Sequence, residues 1–335
     1  MTNKRTMALG AVFSTALAVS SLSLVARSLF DSVVDTQSRK VQHRRHPLAP
    51  SATNSNTQNT RNSRNQPSHQ THHDWFRAAR REVAIRSEDG LMLRGWMFDA
   101  DSALGSHNYV ICCHGFGSSP EGMASHAYHH AQSGFHVLLP ALRAHQPSEG
   151  RYVGLGWLDK RDLIRWIDMI IATDSCARII LHGISLGAAG VMMCVGEDDL
   201  PENVVGAIED SGFCSAAEQF THLAKENYHI PSLLIPPVLS RINSLAKRYA
   251  GYDITQISSL DSLRRARIPM LFIHGGKDLL VPASCADRCY EACSSPDKQK
   301  LIIPDAEHGM AALAAPGAYW FTVDRFMHRV IEQYS

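Results

Sequence analysis

The chain has almost no excess of charge: 33 Lys and Arg against 32 Asp and Glu leave +1 over 335 residues. No basic stripe with interleaved aromatics occurs, so nothing in the charge points to nucleic acid. There is no Cys-x-x-Cys pair, which speaks against a zinc site. His-Glu-x-x-His, a phosphate-cradling Gly-x-x-x-x-Gly-Lys-Ser/Thr loop and a Rossmann fingerprint are all missing, and with them three large classes of chemistry. What remains is ordinary globular composition, 44% apolar and 19% charged, long enough for one large α/β domain with accessories.

The amino-terminal end departs from that average. Lys4 and Arg5 precede an uncharged stretch, Thr6 to Ala26, closed by Arg27. Its length matches one membrane span and exceeds a usual signal-peptide core, although Ser14, Thr15, Ser20, Ser21 and Ser23 dilute it. Residues 1–35 are therefore expected to be a membrane anchor with the catalytic part outside the cytoplasm. A cleaved export signal ending near Ala16-Leu17-Ala18 is the alternative. Residues 36–73 are rich in Asn, Gln, Ser and Thr without apolar periodicity, which reads as a disordered polar linker. The scattered His43, His46, His69, His72 and His73 in it are discounted as metal ligands.

The eight cysteines sit awkwardly with an oxidising compartment. Cys112 and Cys113 are adjacent in a strand and must face opposite sides of a sheet. Cys285, Cys289 and Cys293 form one helical stripe and pair poorly as disulfides. Small buried apolar residues are the expectation for most of them.

From residue 74 the pattern alternates. A hairpin over 82–98 with an Asp89-Gly90 turn is followed by apolar strands at 107–113, 135–139, 178–182, 204–208, 268–273 and 299–303. Helical stripes separate them, most clearly Leu163, Trp166, Ile167, Ile170 and Ile171, and Tyr319, Val323, Phe326, Met327 and Val330. This predicts an α/β fold: a mostly parallel twisted sheet with helices on both faces. Residues 213–258, broken by Pro231, Pro236 and Pro237, are too long for a plain connection and are expected to form a helical cap whose apolar run, Ile230 to Leu239, lines the site.

The organising motif is Gly183-Ile184-Ser185-Leu186-Gly187, between an apolar strand and a small-residue helix. Gly-x-Ser-x-Gly at a strand-to-helix turn exposes a serine hydroxyl above the sheet. Serine acyl chemistry also needs a base, an acid that orients it, and N–H donors for the oxyanion. His308 follows the last strand and supplies the base. Asp278 follows strand 268–273 and supplies the acid, with Asp210, at the end of the strand after the elbow, as a competitor. Asp305 and Glu307 are too near His308 along the chain. The order Ser, Asp, His is that of this class. The oxyanion donors are assigned to the N–H groups of Phe116, in His114-Gly115-Phe116, and of Leu186. Taken singly each residue has an ordinary explanation; four of them in order, each at a strand end, do not.

Five segments carry a resemblance: His114 to Met123, Ser148 to Trp157, Leu181 to Ala189, Ile208 to Gly212 and Phe272 to Asp278. On these the chain resembles the α/β-hydrolase superfamily, in particular bacterial membrane-associated serine aminopeptidase-like hydrolases, over about 80–332. The resemblance implies the triad Ser185, Asp278 and His308, no cofactor, and an amino-terminal apolar segment. The family's Asp-x-Arg-x-His-Gly-x-Ser appears here as Ala141-Leu142-Arg143-Ala144-His145-Gln146-Pro147-Ser148, which loses the carboxylate and the glycine.

The expectation is a serine hydrolase cleaving an ester, or an amide or thioester, through an acyl-enzyme, without metal or organic cofactor. Its partners would be an acylated or other small substrate and the membrane, with no nucleic acid. An acyltransferase with the same triad and a non-catalytic surface binding module are the rivals.

Overall fold

The computed structural model describes residues 22–38, 69–100 and 106–334. Eight strands form one sheet: β1 (Arg81–Arg86), β2 (Met92–Phe98), β3 (Asn108–Cys113), β4 (His136–Pro140), β5 (Arg178–Ile184), β6 (Val204–Asp210), β7 (Met270–Gly275) and β8 (Lys298–Ile303). Their order is β1-β2-β4-β3-β5-β6-β7-β8. The β1–β2 hairpin and the β2–β4 pair are antiparallel, and all other neighbours are parallel. The expected mostly parallel sheet is what forms.

Burial follows from that topology. β1 is an exposed edge with alternating side chains, whereas β6 and β7 are buried throughout, as central parallel strands covered on both faces must be. The pleat divides the core in two. Val110, Cys112, Ile180, Ile208 and Ile273 pack on one side with helices Ala124–Gln132 and Pro316–Gln333. Ile111, Cys113, Leu181 and Phe272 pack on the other with helices Asp159–Thr173 and Leu186–Cys194. Cys112 and Cys113 thus face opposite sides. All eight cysteines are unpaired thiols, and only Cys176 is exposed.

The amino-terminal part brings a difference. Residues 22–33 are helical, and Ala26, Leu29, Phe30 and Val34 are fully buried within the main core cluster. The segment is then pinned to the domain: Val153 N–H donates to Val34 O at 2.9 Å and Thr36 N–H to Arg151 O at 3.0 Å. Asp35, almost fully buried, accepts from Nε and Nη2 of Arg151 at 3.0 and 2.8 Å. Helix His69–Ala79 also docks, burying Phe76 and stacking Trp75 on Phe98 with ring centres 4.7 Å apart. So part of the expected anchor (22–35) and both ends of the expected linker (36–38 and 69–73) belong to the folded unit. The rest of both segments lies outside the described residues. No described helix is long and apolar enough to cross a membrane.

Between β6 and β7, helices Ala216–Glu226 and Ile235–Leu245, with short helical turns before and after the second, cover the carboxyl edge of the sheet. They form the interruption expected at 213–258.

Candidate active site

Ser185 stands between β5 and helix Leu186–Cys194 at φ 56° and ψ −112°. An L-residue reaches that conformation only under strain, and the surrounding structure enforces it. The two flanking glycines allow it. A Cβ on Gly187 would lie 2.2 Å from Cys113 O, and one on Gly183 would lie 2.4 Å from the carbonyl carbon of Gly187. The backbone N–H of Ser185 is tied to Asp210 O on β6 at 2.8 Å, so the elbow cannot relax sideways.

The loops after β7 and β8 bring the partners. Gly276 N–H donates to Ile303 O at 2.8 Å and Lys277 N–H to Ala306 O at 2.9 Å. The glycines at 275 and 276 leave no room between these loops, since a Cβ on either would lie within 2.6 Å of a carbonyl oxygen. This close packing places Asp278 against His308. His308 Nδ1 is 2.7 Å from Asp278 Oδ2, and His308 Nε2 is 2.8 Å from Ser185 Oγ. Asp278 Oδ1 accepts from the N–H groups of Leu280 and Val281 at 2.9 and 2.8 Å. Burial works against its charge, but hydrogen bonds from His274 and His308 outweigh that and hold its pKa well below the carboxylate range.

The competing acid is engaged elsewhere. Asp210 Oδ1 accepts from Ser211 Oγ at 2.8 Å and Oδ2 from the Tyr319 hydroxyl at 3.1 Å. Burial raises its pKa. Ser211, itself at φ 61°, accepts from Gly309 N–H at 3.2 Å, so Asp210 supports the His308 loop without touching the imidazole. Asp305 is exposed and paired with Lys277 at 2.6 Å.

Phe116 lies in the turn after β3, where Gly115 would place a Cβ 3.3 Å from that of Ser185. Two neutral imidazoles hold this turn. His114 Nδ1–H donates to Gly115 O at 2.9 Å while its Nε2 accepts from Leu142 N–H at 3.1 Å. His145 Nδ1–H donates to Arg143 O at 3.0 Å and its Nε2 accepts from Gly117 N–H at 3.2 Å. Each ring uses one nitrogen as donor and one as acceptor, which only the neutral form allows. Burial agrees, lowering His114 to about 3 and His145 below its ordinary value. The loop that departs from the family pattern is therefore well anchored. Its Arg143 bonds Asp162 at 2.6 and 2.7 Å and Asp89 at 2.9 and 3.2 Å, and Ala141 is fully buried where the pattern has a carboxylate.

Some residues around the site escaped the sequence reading. His274 Nε2 lies 3.2 Å from Asp278 Oδ2 and 2.9 Å from Val281 O. Glu209, beside Phe272 on the neighbouring strand, shares the face of His274. Burial disfavours a charged His274, yet contact with Asp278 and the charge of Glu209 raise its pKa to about 9. Burial raises Glu209 to about 8. The Ile273-His274-Gly275 run before Asp278 was the available signal. Behind the elbow, His130 Nε2, His182 and the Tyr319 hydroxyl form a chain with steps of 3.1 and 3.1 Å. Cys112, His130 and His182 offer ligand atoms within 4.8 Å of one another, but this chain already accounts for the facing imidazole nitrogens.

Ser185 opens into a cavity of about 830 Å³. Among the described residues its lining includes no Asp, Glu, Lys or Arg. The cap contributes Phe213, Ala216, Phe220 and Leu223, whereas the expected run from Ile230 to Leu239 does not reach it; Leu233 is 87% exposed.

The fold has counterparts in solved structures. An esterase from Pyrococcus furiosus superposes with a TM-score of 0.61 at 22% identity, over 75% of this chain and 91% of that one. An acylaminoacyl peptidase from Pyrococcus horikoshii gives 0.54 at 18% identity, over 74% and 40%. The chain has the α/β-hydrolase fold. Among curated proteins it is 27% identical over 221 residues to the uncharacterised YqkD of Bacillus subtilis, covering 66% of this chain and 71% of that one. It is 24% identical over 229 residues to the uncharacterised YfhR of Escherichia coli K12, covering 68% and 72%. No protein-family model matches.

Proposed function

We propose that the protein is a serine hydrolase acting on uncharged carboxylic esters. The observation that carries this is the continuous hydrogen-bonded line from Ser185 Oγ through His308 to Asp278, at the wall of a cavity that no Asp, Glu, Lys or Arg lines among the described residues. His308 Nε2 takes the proton of Ser185 as its Oγ attacks the acyl carbon, and returns it to the leaving alcohol. Asp278 keeps the other imidazole proton on Nδ1. The N–H groups of Phe116 and Leu186 receive the oxyanion, the second from the first turn of a helix, where negative charge is favoured. Water then cleaves the acyl-enzyme by the same route.

The lining argues for esters over aminoacyl amides. A substrate's free ammonium is best matched by a carboxylate once desolvated, and no carboxylate lines this cavity among the described residues. A screen of simple carboxylic esters against aminoacyl amides tests the reading. Turnover of esters with little or none of the amides is expected; the reverse preference overturns it.

A further inference from the structure

The amino-terminal segment lies outside the sheet, yet Leu29, Ser32, Val33, Thr36 and Gln37 line the same cavity as Ser185. Resting on the ester-hydrolase reading, we infer that residues 29–37 form one wall of the acyl subsite and that this subsite takes an extended, uncharged hydrocarbon chain.

Three observations carry the inference. First, the wall is fixed. Asp35 and Arg151 pair bidentately at 3.0 and 2.8 Å, Thr36 Oγ1 donates to Arg151 O at 2.8 Å, and Phe30 packs against Tyr152 with ring centres 6.2 Å apart. A wall held on both its helical and its extended part can discriminate by shape. Second, Phe220 and Leu223 of the cap helix line the same cavity, so two separate parts of the chain offer it apolar surface. Third, Tyr228 lines both this cavity and a smaller one of about 330 Å³ bounded by Leu22, Val25, Ile230 and Pro231. Its hydroxyl stands 3.4 Å from Ser32 Oγ, so the amino-terminal helix and the cap meet at the wall that the two cavities share.

The test compares the full-length protein with Val33→Trp and Val33→Ala on p-nitrophenyl acetate and p-nitrophenyl decanoate. One methylene in an apolar pocket changes kcat/KM by about tenfold or more. The Trp variant is therefore expected to lose at least about tenfold on decanoate while acetate stays within about twofold. The Ala variant, which removes apolar surface from the wall, is expected to lose more on decanoate than on acetate. Equal loss on both esters in either variant, or no change on decanoate in the Trp variant, overturns the inference. Turnover of neither ester by the unaltered protein overturns the parent reading as well. Because the Trp variant adds bulk, its thermal unfolding is recorded alongside; if it does not fold, Ser32→Phe on the same two esters decides in its place, with the same pattern expected and the same outcomes contradicting it.

Discussion

The imidazole of His274 lies 3.2 Å from Oδ2 of Asp278, the oxygen that also faces His308 Nδ1 at 2.7 Å. One carboxylate oxygen thus serves two histidines, one near the carboxyl end of β7 and one beside Ser185. Asp210 and Glu209 on β6 and Cys285 on the following helix are the other titratable groups whose charges couple to His274.

This arrangement makes stability depend on alkaline pH. Folding raises His274 to about 9 and Glu209 to about 8, above their ordinary values of about 6.5 and 4.3. The folded chain then binds these protons more tightly than the unfolded chain. The stabilisation is complete below the unfolded values and is lost as pH rises through 8 and then 9. Thermal unfolding at pH 6.5 and pH 9 should show a decline in the native protein that is shallower in the His274→Gln, Glu209→Gln double variant. A decline equally steep in both would contradict this account of the pair.

The acid of the triad can be separated from its competitor by chemistry. Asp278→Asn leaves His308 with the wrong tautomer and should cost about 10⁴ in kcat. Asp210→Asn disturbs only the support given by Ser211 and Tyr319 and should cost far less. Steady-state kinetics on one ester settles the ranking, and the reverse order would move the acid to Asp210.

Shortening the chain tests the amino-terminal segment. A chain starting at residue 74 removes the fully buried Leu29, Phe30 and Val34, each contributing about 1.5–3 kcal/mol in apolar burial. It also opens the cavity on one side. Such a chain should unfold at lower temperature or aggregate, whereas one starting at residue 22 should melt close to the full-length protein. Equal melting of all three would show that the segment contributes nothing to the fold.

The sheet was legible because its strands are short apolar runs bounded by turn residues, and the parallel core leaves them nearly uninterrupted. That Ser185, Asp278 and His308 would come together was legible because each follows a strand end at one edge of the sheet. The docking of residues 22–38 was not. Ala26, Leu29 and Phe30 are apolar whether they face lipid or a protein core, and local sequence does not distinguish the two. Asp35 offered no local signal, since its partner Arg151 is 116 positions away. The roles of His114 and His145 were equally hidden, since a histidine that holds a turn in its neutral form reads like any of the 18 in the chain. For the cap, the apolar run of Ile230 to Leu239 drew attention away from Phe213 and Phe220, which line the cavity.

The central claim, that Ser185 is the nucleophile, is tested most directly by covalent capture. The full-length protein is treated with a fluorophosphonate, digested and mapped by mass spectrometry, beside a Ser185→Ala variant with an unchanged melting profile. The account predicts one modification, on the peptide containing Ser185 in the native protein, and none in the variant. Labelling that persists in the variant, or that maps to Ser118 or Ser211, would contradict it.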